Sequence, residues 1–213
     1  MTGLLFATAS SSSAGRVEAA LNLRAVNWSA VTLPPVCGGS QPINLHRLGS
    51  PPVPIAIGSV TPIPQRWSWA DFYGRRSVQV WAGWEPVLYG DLDGQHDAAV
   101  DFACTNGGGT ADGELLEGWV VFSGQGGRLS VVGVVTPRAK HPPTDPTTTI
   151  EIKISPTKIV AVEYWFDYEP RASNLVRVSR WAVTIWAYAH GTLRPGTPVV
   201  TNRPPPGWLH IKL

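Results

Sequence analysis

The sequence predicts a mainly β fold, either an antiparallel β-sandwich or a curved meander sheet, with one short N-terminal helix. The chain has 213 residues, of which 22 are glycine and 20 are proline, and these residues separate many short apolar runs. Valine, threonine, isoleucine and tryptophan are plentiful, whereas strong helix formers are scarce, and this balance favours strands and turns. The chain has no convincing internal repeat, so a propeller built from this chain alone is not expected.

Alternating hydrophobicity begins near residue 77 and marks most of the remaining chain. Residues 115–122 and 129–135 are apolar on both faces, which predicts strands that are covered on two sides. The glycine-rich segment 123–127 between them predicts a hairpin turn. The predicted strands lie within residues 77–89, 98–104, 115–122, 129–135, 150–154, 158–168 and 176–189.

The ends of the chain differ in composition from its middle. Residues 1–26 are interpreted as a flexible tail followed by a short helix over residues 16–26. Residues 27–203 are interpreted as a single β domain. Residues 204–213 are interpreted as a proline-rich tail.

Composition and charge exclude two classes of partner. The formal net charge is only +2 and charged residues make up 15% of the chain, with lysine and arginine scattered along it. Because nucleic-acid binders concentrate basic residues into a patch or stripe, no nucleic-acid partner is expected. No apolar run approaches the ~20 residues of a membrane span, so none is predicted.

Two cysteines, Cys37 and Cys104, stand far apart in the sequence. Zinc ligands usually occur in closely spaced pairs, so this arrangement does not favour a zinc site. A Cys37–Cys104 disulfide is the preferred interpretation, with two buried thiols as the alternative. A disulfide would indicate an oxidising compartment, meaning secretion or the cell envelope.

The segment Gly90-Asp-Leu-Asp-Gly94 and the following Asp97 form an acidic turn. Calcium requires six or more oxygen ligands, and alternate carboxylates of a tight loop supply several of them. Asp91, Asp93 and Asp97 are therefore candidate ligands for calcium, and no other cofactor is expected. The turn lacks further acidic residues, so the preferred interpretation is a β-turn whose aspartates accept hydrogen bonds from backbone amides.

Two groups of aromatic and polar residues are candidate ligand-binding sites. Trp165 shares a strand face with Glu163 and Asp167, and Trp186 shares a face with Tyr188. An exposed indole beside hydrogen-bonding side chains suits the apolar face and hydroxyls of a sugar, or a protein partner. The alternative interpretation assigns these tryptophans to the core or to cross-strand aromatic pairs.

Signals for catalysis are weak. No serine lies in a Gly-x-Ser-x-Gly motif, and the histidines lack metalloprotease spacing. Carboxylates for glycoside hydrolysis are present, but one sequence does not show whether any pair converges. No catalytic residue is therefore assigned, and an enzyme is the less favoured interpretation.

The motifs around the acidic turn resemble a group of exported actinobacterial proteins, mostly uncharacterised secreted proteins or lipoproteins. The resemblance is carried by residues 90–94, 97–100 and 104–110, and by later segments at 120–123, 128–137 and 186–195. It covers roughly residues 30–203. The Asp-Leu-Asp-Gly turn is also similar to calcium-binding repeats of integrin-like (FG-GAP) propellers. The resemblance implies export and a small β domain, and it implies no activity.

Taken together, the sequence predicts a non-catalytic exported binding or interaction module of the cell envelope or extracellular space. Its partner would be a glycan or a protein, recognised through exposed tryptophan. Two alternatives remain open at this point. One is a cell-wall-directed hydrolase, and the other is a structural subunit of a surface assembly.

Overall fold

The computed structural model describes residues 19–47, 56–60, 78–82, 87–94, 96–105, 114–139, 148–168 and 175–208. Within these ranges the chain is mainly β, as predicted, and its strands form antiparallel sheets. The strands are β1 (Thr32–Leu33), β2 (Ile43–Asn44), β3 (His46–Arg47), β4 (Ala56–Val60), β5 (Val78–Ala82), β6 (Leu88–Asp91), β7 (His96–Thr105), β8 (Glu114–Ser123), β9 (Ser130–Val135), β10 (Thr148–Ser155), β11 (Lys158–Tyr168), β12 (Leu175–Ala189), β13 (Thr192–Pro195) and β14 (Val199–Thr201).

The central sheet has the order β3-β4-β5-β7-β8-β9, and β6 also pairs with β7. Strand β7 is long enough to pair with both β5 and β6 along one side and with β8 along the other. The predicted turn between β8 and β9 is confirmed, since Gln125–Gly127 form a single 3-10 turn. Gly126 and Gly127 both have positive φ there, a conformation that glycine adopts without steric cost.

The second sheet has the order β10-β11-β12-β13, and β14 also pairs with β12. It packs face to face on the central sheet through a core that contains Trp119, Val121, Ile152, Ile159 and Trp186. The indole N–H of Trp119 donates to the carbonyl of Ile150 at 2.8 Å, which joins the two sheets. Two antiparallel sheets thus form the sandwich that the alternating pattern predicts.

Residues 31–45 cover the opposite face of the central sheet. Strands β1 and β2 form a small two-stranded sheet, and Leu33 and Ile43 from these strands pack against Phe102 and Phe122. A disulfide joins Cys37 of this layer to Cys104 of β7, as the sequence predicts. We call residues 31–45 the N-terminal layer.

Strand β8 is consequently buried on both faces. Val120 and Phe122 contact the N-terminal layer, whereas Trp119 and Val121 contact the second sheet. This confirms the prediction that residues 115–122 are covered on two sides, at least from Gly118 onward, where the burial is continuous.

The short N-terminal helix is not confirmed. Of the predicted residues 16–26, those from 19 onward are described, and only Leu23–Ala25 are helical, as a single 3-10 turn. The backbone N–H of Leu21 donates to the carbonyl of Gly124, so it bonds to the turn that follows β8 instead of starting a helix. Asn22 caps the 3-10 turn by accepting from the N–H of Arg24.

The segment after β14 returns to the second sheet. Lys153 donates to the carbonyl of Gly207 at 2.9 Å, and its ammonium lies 4.3 Å from the centroid of the Trp208 ring. Trp208 is buried. The predicted proline-rich tail therefore packs on the sheet as far as residue 208, and residues 209–213 lie outside the described part.

The disulfide is expected to contribute strongly to stability. Its loop spans 67 residues, for which the chain-entropy model gives about 4 kcal/mol. We expect the double substitution Cys37→Ser and Cys104→Ser to lower the free energy of unfolding by about 2–4 kcal/mol in urea titrations. Wild-type protein in reducing agent is the matched control and should behave like the variant. Equal midpoints for the oxidised protein and the variant would contradict the expectation.

Candidate functional site

The acidic turn is located where β6 passes into β7. Gly94 has a φ of 87°, which permits the sharp reversal, and its N–H donates to the side chain of Asp91. The N–H of Leu92 donates to Oδ2 of Asp97 at 2.8 Å. Carboxylate oxygens of Asp91, Asp93 and Asp97 all lie within 4.8 Å of one another. The structure thus brings the three predicted ligands together, in a turn whose aspartates accept backbone hydrogen bonds.

Tyr188 joins this cluster, although its sequence position predicted a site shared with Trp186. Its hydroxyl donates to Oδ2 of Asp93 at 2.9 Å. The backbone connects the same elements, because the N–H of Thr157 donates to the carbonyl of Leu92 and the N–H of Tyr188 donates to the carbonyl of Thr157. The acidic turn therefore fastens one corner of the central sheet to the second sheet.

Burial and like charges alter the titration of this corner. Desolvation raises the pKa of Asp97 to about 6, with smaller contributions from the charges of Asp93 and Asp91. The hydrogen bonds from Leu92 and Ser123 act in the opposite direction. Burial, the hydrogen bond to Asp93 and the nearby carboxylates raise the pKa of Tyr188 to about 12. The corner therefore holds a carboxyl group that takes up a proton near pH 6.

The predicted site at Trp186 differs from the arrangement that ligand binding requires. Trp186 faces the core between the sheets and is only 5% exposed. Its indole N–H has no hydrogen-bond acceptor among the described residues. The side chains of Trp165 and Asp167 lie outside the described part, so their role stays a prediction. Trp186 is placed to pack the sandwich and not to cover a sugar.

Glu163 has a structural role that the sequence did not indicate. It is 0% exposed, and its Oε1 accepts from the N–H of Arg138 at 2.6 Å while its Oε2 accepts from the N–H of Ala139 at 2.9 Å. The hydroxyl of Thr184 donates to Oε1 at 3.3 Å. A buried carboxylate is tolerated when donors surround it. Glu163 therefore fixes the backbone that follows β9.

A cleft of about 680 Å³ opens between the N-terminal layer and the end of β9. One wall is the turn at residues 36–39, where the N–H of Gly39 donates to the carbonyl of Val36. Cys37 and Gly38 both have positive φ, as in the tight turns of hairpins. The described lining consists of Pro35, Val36, Cys37, Gly38, Gly39, Phe102, Val134, Thr136, Pro137 and Arg138.

The disulfide and Glu163 hold the two walls of this cleft. Cys37 is tied to Cys104 on β7, two residues beyond Phe102, which lies beneath the floor. Arg138 is held through its backbone by Glu163 on β11. Because both walls are fixed to sheet strands, the cleft is preformed. The residues that line the cleft form no sequence motif. Among them, the sequence indicates a role only for Cys37, as a disulfide partner.

Comparison with known proteins adds no functional assignment. No protein-family model, curated protein or solved structure matches this chain. The resemblance to exported actinobacterial proteins therefore stays a prediction.

The raised pKa of Asp97 predicts a specific pH dependence. Because its folded pKa lies above its unfolded value, its stabilising contribution is full below pH 3.8 and is lost as the pH rises to about 6. An asparagine at this position does not titrate, so Asp97→Asn should gain about 1–2 kcal/mol relative to wild type between pH 4 and pH 7. Urea titrations of both proteins across this pH range measure the difference. A difference that is constant with pH would contradict the prediction.

Calcium provides a separate test of the acidic turn. Each of the three carboxylates already accepts a hydrogen bond from the protein, so we expect melting temperatures to be the same in millimolar calcium and in EDTA. Stabilisation by calcium that EDTA reverses, and that Asp91→Asn abolishes, would instead establish a cation site. Magnesium serves as the control for a general salt effect.

Proposed function

We propose that this chain is a non-catalytic binding module of an exported protein, acting in the cell envelope or extracellular space. The cleft between the N-terminal layer and the end of β9 carries this proposal. Its volume of about 680 Å³ falls within the range of small-molecule sites. Its walls are anchored by the disulfide and by Glu163, so a ligand would meet a formed surface.

Two observations support the exported setting. A disulfide persists in oxidising compartments and is rare in the cytosol. The resemblance to exported actinobacterial proteins points the same way. In the described part of the chain, no helix has the length and apolar character needed to span a bilayer.

The described lining of the cleft bears on the alternative of a cell-wall hydrolase. Its described lining contains no carboxylate, histidine or serine, which are the groups that general acid-base or nucleophilic catalysis uses. The clustered carboxylates Asp91, Asp93 and Asp97 belong to the corner between the sheets. The alternative of a cell-wall hydrolase therefore has no supporting group among the described residues of this cleft.

The alternative of a structural subunit makes a different prediction. Ile185, Val199 and Val200 are each more than half exposed on the second sheet. A structural subunit would associate with further copies or neighbours at protein concentrations where a binding module stays monomeric. Sedimentation velocity of wild type and of Ile185→Lys distinguishes these two behaviours.

The binding proposal is tested by a fragment screen monitored by amide NMR spectra. We expect the shifts of binding fragments to concentrate on Gly38, Gly39 and Thr136 and to weaken in Thr136→Trp, whose indole would occupy part of the cleft. Thr197→Trp, at an exposed position after β13, is the matched control and should bind as wild type does. Shifts confined to other surfaces, or no binding by any fragment, would contradict the proposal.

A further inference from the structure

Arg138 is the only charged residue among the described residues that line the cleft. Its side chain is exposed at the rim. Within the described ranges, its guanidinium forms no ion pair or hydrogen bond. Positive charge without a protein partner, at the edge of a preformed cleft, suits an anionic ligand.

The backbone of Arg138 is fixed more firmly than that of an ordinary surface residue. Its N–H and that of Ala139 donate to the two oxygens of Glu163, which is fully buried. The hydroxyl of Thr184 donates to the same side chain, so three donors engage its two oxygens. The guanidinium therefore extends from a fixed backbone position beside the cleft.

The remaining walls of the cleft combine exposed polar backbone with smaller apolar surfaces. Pro35, Val134 and Pro137 present aliphatic surface, and Gly38 and Gly39 leave the main chain without side-chain cover. A ligand that enters this space meets polar main-chain groups as well as aliphatic carbon. A planar guanidinium binds carboxylates and phosphates with two parallel hydrogen bonds, which a lysine ammonium does not reproduce.

We propose that the cleft binds a small organic anion, with its carboxylate or phosphate on Arg138 and the rest of the ligand beside Pro35, Val134 and Pro137. This inference rests on the proposed function, because it names the ligand class of the same cleft. A single cation does not suit a nucleic acid, which needs several phosphate contacts. The cleft also lacks a described tryptophan that would cover a sugar ring.

The experiment compares probes that share a phenyl ring and differ in the charge and type of the head group. Phenylacetate and phenyl phosphate are titrated into the labelled full chain alongside the neutral phenylacetamide, and the amide signals of Gly38, Gly39 and Thr136 are followed. We expect the anions to bind about fivefold to tenfold more tightly than the amide, with affinity falling as salt rises. The ratio between the two anions shows which head group the cleft prefers.

Variants assign the charge effect to Arg138. Arg138→Gln should remove the preference for the anions while leaving weak binding of phenylacetamide unchanged. Arg138→Lys should retain only part of it, because the paired hydrogen bonds are lost. Arg194→Gln changes the net charge equally at an exposed position on β13, and it should bind as wild type does.

The outcomes separate this inference from the broader proposal. If phenylacetamide binds in the cleft as tightly as phenylacetate, or if Arg138→Gln retains the anion preference, the anion inference is wrong and the binding function stands. If none of the three probes shifts the cleft signals, the anion inference is likewise wrong. If no fragment of the wider screen binds in the cleft either, the proposed binding function is also wrong.

Discussion

Burial of strands β7 and β8 on both faces is the constraint on which the rest of the structure depends. Their apolar side chains leave no face for solvent, so the central sheet needs a covering layer on each side. The second sheet covers one face through an interdigitated core. The N-terminal layer covers the other with little regular structure of its own, and the Cys37–Cys104 disulfide holds it in place.

The cleft forms because the N-terminal layer covers its face of the central sheet less completely than the second sheet covers the other. The turn at residues 36–39 of the N-terminal layer does not reach the chain that leaves β9. The space between them is the cleft, and Phe102 lies beneath it. The disulfide fixes one wall and Glu163 fixes the other. A buried carboxylate and a disulfide thus hold a surface whose described lining carries one cation, Arg138.

Most of the fold was predictable from residue alternation, because a strand repeats its environment every two residues. The described part of the predicted helix, residues 19–26, is not an α-helix, because Leu21 bonds to Gly124 in a tertiary contact that local periodicity does not contain. The site was less predictable. Alternation assigns Glu163 and Trp186 each to one face of its strand. It does not show whether that face is buried or exposed. The cleft joins residues about a hundred positions apart and shows no local signal.

The most direct test of this account is binding of phenylacetate to the oxidised and the reduced protein, followed by amide NMR at a temperature where both remain folded. Reduction should leave the signals of the two sheets dispersed, because the core between the sheets does not include the disulfide. It should also abolish the shifts at Gly38 and Gly39, since the wall that they form is no longer tied to β7. Unchanged affinity and unchanged shifts after reduction would contradict the claim that the tethered N-terminal layer creates the binding site.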